Sequence, residues 1–181
     1  TWDYSPAHRA LEIISIAAMV MLVATLGWRL WAMTTNAATA WALACTVLAA
    51  YLAADLVSGI VHWLADRFGT CETFLVGPNL VRPFREHHTD PKGITRHDFI
   101  ETDGNNCLVC VPLLMATWLA CPTAEGNAWA VSLTSFPVLL CSFVFATNQF
   151  HKWAHMEQPP RVARALQNAR LILGREHHQI H

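Results

Sequence analysis

Uncharged, largely apolar runs divide the chain: Ile13–Trp28, Leu30–Ala54, Asn105–Ala124 and Gly126–Phe150, of 16, 25, 20 and 25 residues. A helix needs about 20 mostly apolar residues to cross a bilayer, so the last three are long enough. The first reaches that length if Glu12 and Arg29 extend their charged ends toward the headgroups. The pattern predicts an all-α integral membrane protein with four transmembrane helices, at about 11–31, 37–61, 105–121 and 128–149. Segments 62–104 and 150–181 then form a cap of helices and loops on one side, and residues 1–181 make a single domain. Trp28, Trp31, Trp63, Trp129 and Trp153 fall near the run ends, where indole rings prefer to sit. Pro112 and Pro137 lie inside runs, which neighbouring helices can tolerate. A water-soluble bundle burying four such runs would have little polar surface left. The first run also lacks the basic start and small-residue cleavage pattern of a signal peptide.

Composition agrees. Hydrophobic residues make up 54% of the chain and charged ones only 14%, against roughly 25% in soluble domains. The net charge of −1 provides no basic field for nucleic acid. Eleven basic residues (Arg9, Arg67, Arg82, Arg85, Lys92, Arg96, Lys152, Arg161, Arg164, Arg170 and Arg175) fall on one side of the four spans, and only Arg29 on the other. The positive-inside rule makes the rich side cytoplasmic, with both termini. The six cysteines include a lone CxxC, Cys107 to Cys110, and most lie in or beside apolar runs, so neither a disulfide framework nor a zinc ribbon is expected.

The ten histidines change the picture. His8 stands alone. The others group as His62; His87 and His88; His97; His151 and His155; His177, His178 and His181, all on the predicted cytoplasmic side. His62 with Asp66, His151 with His155, and His177 with His181 are spaced i,i+4, so on a helix each pair shares a face. Such pairs around the end of a bundle can build a site for two ions. Imidazole suits iron, zinc or copper rather than magnesium or calcium, and nine histidines exceed the need of one tetrahedral zinc. The count favours a dinuclear centre. His97, alone in its segment, suits a supporting or substrate contact. Asp66 and Asp98 can orient imidazoles or act as ligands, and Asn148 is a weaker, water-bridged candidate. A membrane site facing the cytoplasm admits a lipid chain from the bilayer and electrons from a soluble donor. Breaking an unactivated C–H bond there calls for iron and O₂ rather than acid–base chemistry.

The residues carry a family resemblance. Asp55-Leu-Val-Ser-Gly-Ile-Val-His62-Trp-Leu-Ala-Asp66 is similar to the opening motif of the Kua/CarF lipid desaturases. Arg82-Pro-Phe-Arg-Glu-His87-His88-Thr-Asp-Pro91 and Ile94-Thr-Arg-His97-Asp-Phe-Ile-Glu101 resemble its central signature. Asn105-Asn-Cys107, Thr147-Asn-Gln-Phe-His151-Lys-Trp-Ala-His155 and His177-His-Gln-Ile-His181 resemble the remaining motifs in the same order. The resemblance runs from about Ala50 to His181 and implies a membrane-bound di-iron enzyme that puts a double bond into an intact phospholipid. In one branch the bond is the vinyl ether of plasmalogens, made from a 1-O-alkyl chain; in a plant branch it lies in an acyl group of phosphatidylglycerol. It implies two iron ions held by His62, His87, His88, His151, His155, His177, His178 and His181, with His97 as a further candidate. O₂ is the co-substrate, and an electron-transfer protein of cytochrome b5 or ferredoxin type is the partner. The family's last motif continues past a position matching His181, so the resemblance implies a truncated chain.

Smaller features have two readings each. Arg161–Leu173 places Val162, Ala165, Leu166, Ala169, Ile172 and Leu173 on one helical side, as a helix lying in the headgroup plane or packed over the site. Arg82, Arg85 and Arg96 suit a lipid phosphate, or simply follow the positive-inside bias. Rival functions are a zinc-dependent membrane hydrolase, which needs an open metal position and a general base, and a metal transporter. The transporter fits poorly, because the uncharged runs hold no histidine and Asp55 is the one acid near mid-membrane.

Overall fold

The computed structural model describes residues 5–73, 81–122 and 126–178, apart from the side chains of Pro83, Phe84, Glu86 and His87. Helix α1 spans Pro6–Met33, started by proline in its first turn and by Ser5, whose side chain accepts from the His8 N–H at 3.1 Å. A short connection leads to α2, Ala37–Arg67, where Asn36 and Thr39 form a reciprocal capping box. Then come α3 (Arg82–Thr89), a 3₁₀ turn (Gly93–Arg96), α4 (Phe99–Ala120) and α5 (Ala128–His155). Two short helices follow, α6 (Arg161–Asn168) and α7 (Arg175–His178). Asp98 and Asn127 cap α4 and α5 through the N–H groups of Glu101 and Ala130.

Side-chain pairs fix the directions. Arg9 meets Asp98 and Arg29 meets Trp118, so α1 and α4 run parallel. Asn106 bonds to Val144 and Cys110 to Cys141, so α4 and α5 run antiparallel. Tyr51 touches Phe143 and His62 faces His151, so α2 and α5 run parallel. One end of the bundle therefore gathers the starts of α1 and α4, the ends of α2 and α5, and the segments next to them. The core is Met19, Leu22, Leu26, Leu30 and Met33 of α1 against Cys107, Cys110 and Leu114 of α4 and Val131, Val138 and Cys141 of α5.

Helices α1, α2 and α5 are each long and apolar enough to cross a membrane, which makes this an all-α, multi-pass membrane fold. The run assigned to the third of four spans lies in α4, but α4 starts earlier and carries Asp103, Asn105 and Asn106 in its first turns. Uncharged there does not mean apolar. Glu12 corrects a second expectation. It does not reach for the headgroups; it is 1% exposed, with His8 Nε2 3.3 Å from its carboxylate. Gly104 makes that possible, since a Cβ at this position would overlap the Glu12 stem. Arg29 also turns inward. Its guanidinium donates to the Trp118 carbonyl at 2.8 Å and lies 4.8 Å from the centre of that indole ring.

Candidate metal centre

His62 and Asp66 project from one face in the last turns of α2, as their spacing requires. Helix α3 is drawn against this end by Arg85, which donates to the Gly69 carbonyl, and by Val81, whose side chain fills the space a Cβ on Gly69 would take. The result brings His88 over α2. Asp66 Oδ2 accepts from His88 Nε2 at 3.1 Å and lies 3.3 Å from His62 Nε2. Its other oxygen is buried without a hydrogen bond among the described residues.

His151 and His155 repeat the i,i+4 geometry at the end of α5, with ring centroids 4.9 Å apart. Helix α7 delivers His178 onto both, at 4.6 Å from His151 and 4.2 Å from His155. His178 Nε2 is 3.3 Å from His151 Nδ1. Each triad, His62–Asp66–His88 and His151–His155–His178, offers ligand atoms that all lie within 4.8 Å of one another. The triads adjoin, since the rings of His62 and His151 are 6.1 Å apart. Five imidazoles and one carboxylate with an unbonded buried oxygen form a donor set that suits two borderline metal ions such as iron.

The remaining candidates stand apart. His177 is exposed on α7, outside both triads. His97 lies beyond the 3₁₀ turn, where its carbonyl accepts from Lys152 Nζ at 2.5 Å. Asp98 is occupied as the α4 cap and in an ion pair with Arg9 at 2.6 Å. The Arg9 guanidinium, helped by the Glu101 N–H, holds its carboxyl below the usual range. Asn148 donates to the Thr102 carbonyl at 2.9 Å and ties α5 to α4. Arg85 bonds to Gly69 and Arg96 to Asp90, while Arg82 is exposed at the start of α3. Lys92 pairs with Glu157 at 2.7 Å, keeps that carboxyl low, and fastens the loop before α4 beyond the end of α5. His181 and the side chain of His87 lie outside the described residues.

A lipid desaturase domain matches residues 51–181, the stretch that holds both triads. This chain belongs to the lipid desaturase family. It is 49% identical over 178 residues to plasmanylethanolamine desaturase of Myxococcus xanthus, an alignment covering 98% of the chain and 62% of that protein. It is 46% identical to plasmanylethanolamine desaturase 1 of Mus musculus, over 75% of the chain and 51% of the relative. Fatty acid desaturase 4, chloroplastic, of Arabidopsis thaliana is 34% identical over 74% of the chain and 39% of its own length. The chain thus spans between about half and two thirds of the two plasmanylethanolamine desaturases. No solved structure matches it.

Sequence reasoning misplaced or passed over two buried carboxylates in the first turns of α1 and α4. Glu12 is one. Asp103 is fully buried, and neither of its oxygens is hydrogen-bonded among the described residues. The signal was present in the helical spacing of Asp103, Cys107, Cys110 and Leu114, which puts the acid on the stripe that forms the core. Lys152, whose charge lies toward Asp103 and whose amine holds the His97 carbonyl, was counted only as a basic residue.

Proposed function

We propose that this protein is an O₂-dependent membrane lipid desaturase that forms the vinyl ether bond of plasmalogens from 1-O-alkyl ether phospholipids. The observation that carries the reading is the pair of adjoining triads at one end of helices long enough to cross a membrane. His62, Asp66 and His88 would hold one iron, and His151, His155 and His178 the other. His87, His177 and His181 extend the donor set, and His97 flanks it. When bound, the irons would supply the oxidising power: two hydrogens leave adjacent carbons and, together with O₂, two external electrons and two protons, end up as two waters. The chain's own residues position the lipid and keep the donor atoms together.

Site depth supports attack near the headgroup. Asp55, exposed on α2, lies seven residues before His62, about 10 Å along the axis. An exposed carboxylate belongs at the hydrocarbon edge, so the triads stand over the headgroup layer, and a chain that reaches them does so by its headgroup end. We read α4 as a fourth span, and the one-sided basic residues as setting both termini and the triads in the cytoplasm. A donor of cytochrome b5 or ferredoxin type would deliver electrons from that side. Arg82, Arg85 and Arg96, all exposed, are the arginines that would meet a lipid phosphate. A second reading, desaturation or hydroxylation of an acyl chain on a phospholipid such as phosphatidylglycerol, draws on the likeness to fatty acid desaturase 4.

The test is metal content followed by lipid profiling. About two irons per chain, with vinyl ethers formed in a host that supplies alkyl ether lipids, is the expected result. Stoichiometric zinc without iron would overturn it in favour of a hydrolase, and acyl products without vinyl ethers would favour the second reading.

A further inference from the structure

We propose that residues 161–174 form a re-entrant hairpin sunk into the leaflet next to the triads, with Val162, Leu171 and Leu173 against lipid. The Tyr51 hydroxyl donates to the Leu171 carbonyl, which fixes the tip of the hairpin against α2. Tyr51 precedes His62 by eleven residues, close to three full turns and about 16 Å, so the tip lies on the histidine face and beneath it. It also lies one turn on the membrane side of Asp55. Leu171 at the tip, Leu173 after it and Val162 at the start of α6 are 53%, 41% and 68% exposed, and Leu48, Leu52 and Leu56 of α2 are exposed as well. Ala163 is the buried residue of α6, so most of that helix faces outward.

Irregular backbone survives in a bilayer only if its polar groups find partners within the protein. Here they do. The N–H groups of Ala169, Arg170 and Leu171 bond to the carbonyls of Ala165, Gln167 and Leu166, each at 3.0 Å. The Leu171 carbonyl is taken by Tyr51, and that of Leu173 by the Gln167 side chain at 3.1 Å. Arg170 adopts the left-handed conformation, φ 57°, that reverses the chain. Arg161 and Arg164 are exposed on α6, and Arg170, exposed at the tip, has to extend its long side chain upward to reach lipid phosphates. The hairpin runs directly into α7, so its seating in the leaflet positions His178 in the second triad.

The proposal rests on α2 crossing the membrane and does not depend on the reaction assigned above. The test uses the full chain in phospholipid nanodiscs with the exposed thiols removed (Cys45→Ser, Cys71→Ser) and a nitroxide placed singly at Val162, Leu171, Leu52 or Glu72. All four native residues are exposed, so the label is tolerated. Relaxation by O₂, which concentrates in lipid, is compared with relaxation by a water-soluble nickel chelate. Val162 and Leu171 should follow Leu52, with O₂ the stronger relaxant, and Glu72 should show the inverse. Tyr51→Phe should lower the O₂ effect at Leu171. A nickel-dominated response at Leu171 would place the hairpin in water and overturn the proposal. A response to neither relaxant would mean a protein partner covers it, and would overturn it too.

Discussion

Helices α1 and α4 meet through bulk: Met19, Leu22 and Leu26 on one side, Leu114 with two cysteines on the other. Helix α2 buries no such residues. Its buried positions are Thr39, Thr46, Ala50, Ala54 and Ala65, small side chains that let it lie close to α5. The first pair supplies cohesion and the second supplies registration. Close backbone approach leaves little freedom to slide, and it is α2 and α5 that must hold His62 and His151 with their rings 6.1 Å apart. Damage to the two pairs should therefore differ in kind as well as size.

The largest effect belongs to the α5 side of the site. His155→Ala should at least halve iron per chain and lower desaturation on the order of 10²-fold or more. Metal analysis beside lipid profiling checks this, and full metal in an inactive variant would break the assignment of that triad. Leu114→Ala should do the reverse, lowering stability by about 2–5 kcal/mol through a core cavity while bound iron stays near wild type. Ala54→Leu sharpens the contrast. Overpacking at the α2–α5 contact should destabilise by about 1–3 kcal/mol yet reduce activity more than Leu114→Ala does. Comparable thermal shifts with unequal turnover would support registration as the role of α2; equal turnover would refute it.

Asp66→Asn separates charge from shape. It should weaken metal binding at the first triad by about 10–100-fold, as read by competitive titration, and leave the second triad loaded. The smallest effect is expected at Asp98, where Asp98→Ala removes the α4 cap and its pair with Arg9, worth about 1 kcal/mol. Its carboxyl is held low in the folded state, so this contribution is complete above the usual carboxylate range and fades as pH falls toward the lowered value. Wild type and variant should converge in stability in acid, as followed by thermal melts across pH.

The apolar runs behind α1, α2 and α5 and the clustered histidines were legible because both are signals carried by many residues. Five of the histidines named as ligand candidates and Asp66 meet in the triads; helical spacing implied the His62–Asp66 and His151–His155 pairs, but not the arrival of His88 and His178 from other helices. What escaped were positions whose meaning depends on a partner helix. Glu12 reads as an interfacial charge until Gly104 opens a place for it. The polar start of α4 reads as a loop because Asp103 and Asn105 face inward, and inward polarity contradicts the hydropathy rule used to find spans. The contact of Tyr51 with Leu171 joins residues 120 positions apart, and neither side chain announces it.

Direction matters at the site as well as position. Helices α2 and α5 are parallel, so both end at the triads. A helix C-terminus carries partial negative charge from its last free carbonyls, felt within about a turn. These termini converge on a donor set made almost entirely of imidazole. The peptide backbone thus supplies part of the negative potential that carboxylates would otherwise provide, and it favours the more highly charged oxidation state of any metal held there. Reducing a metal held there would run against that field.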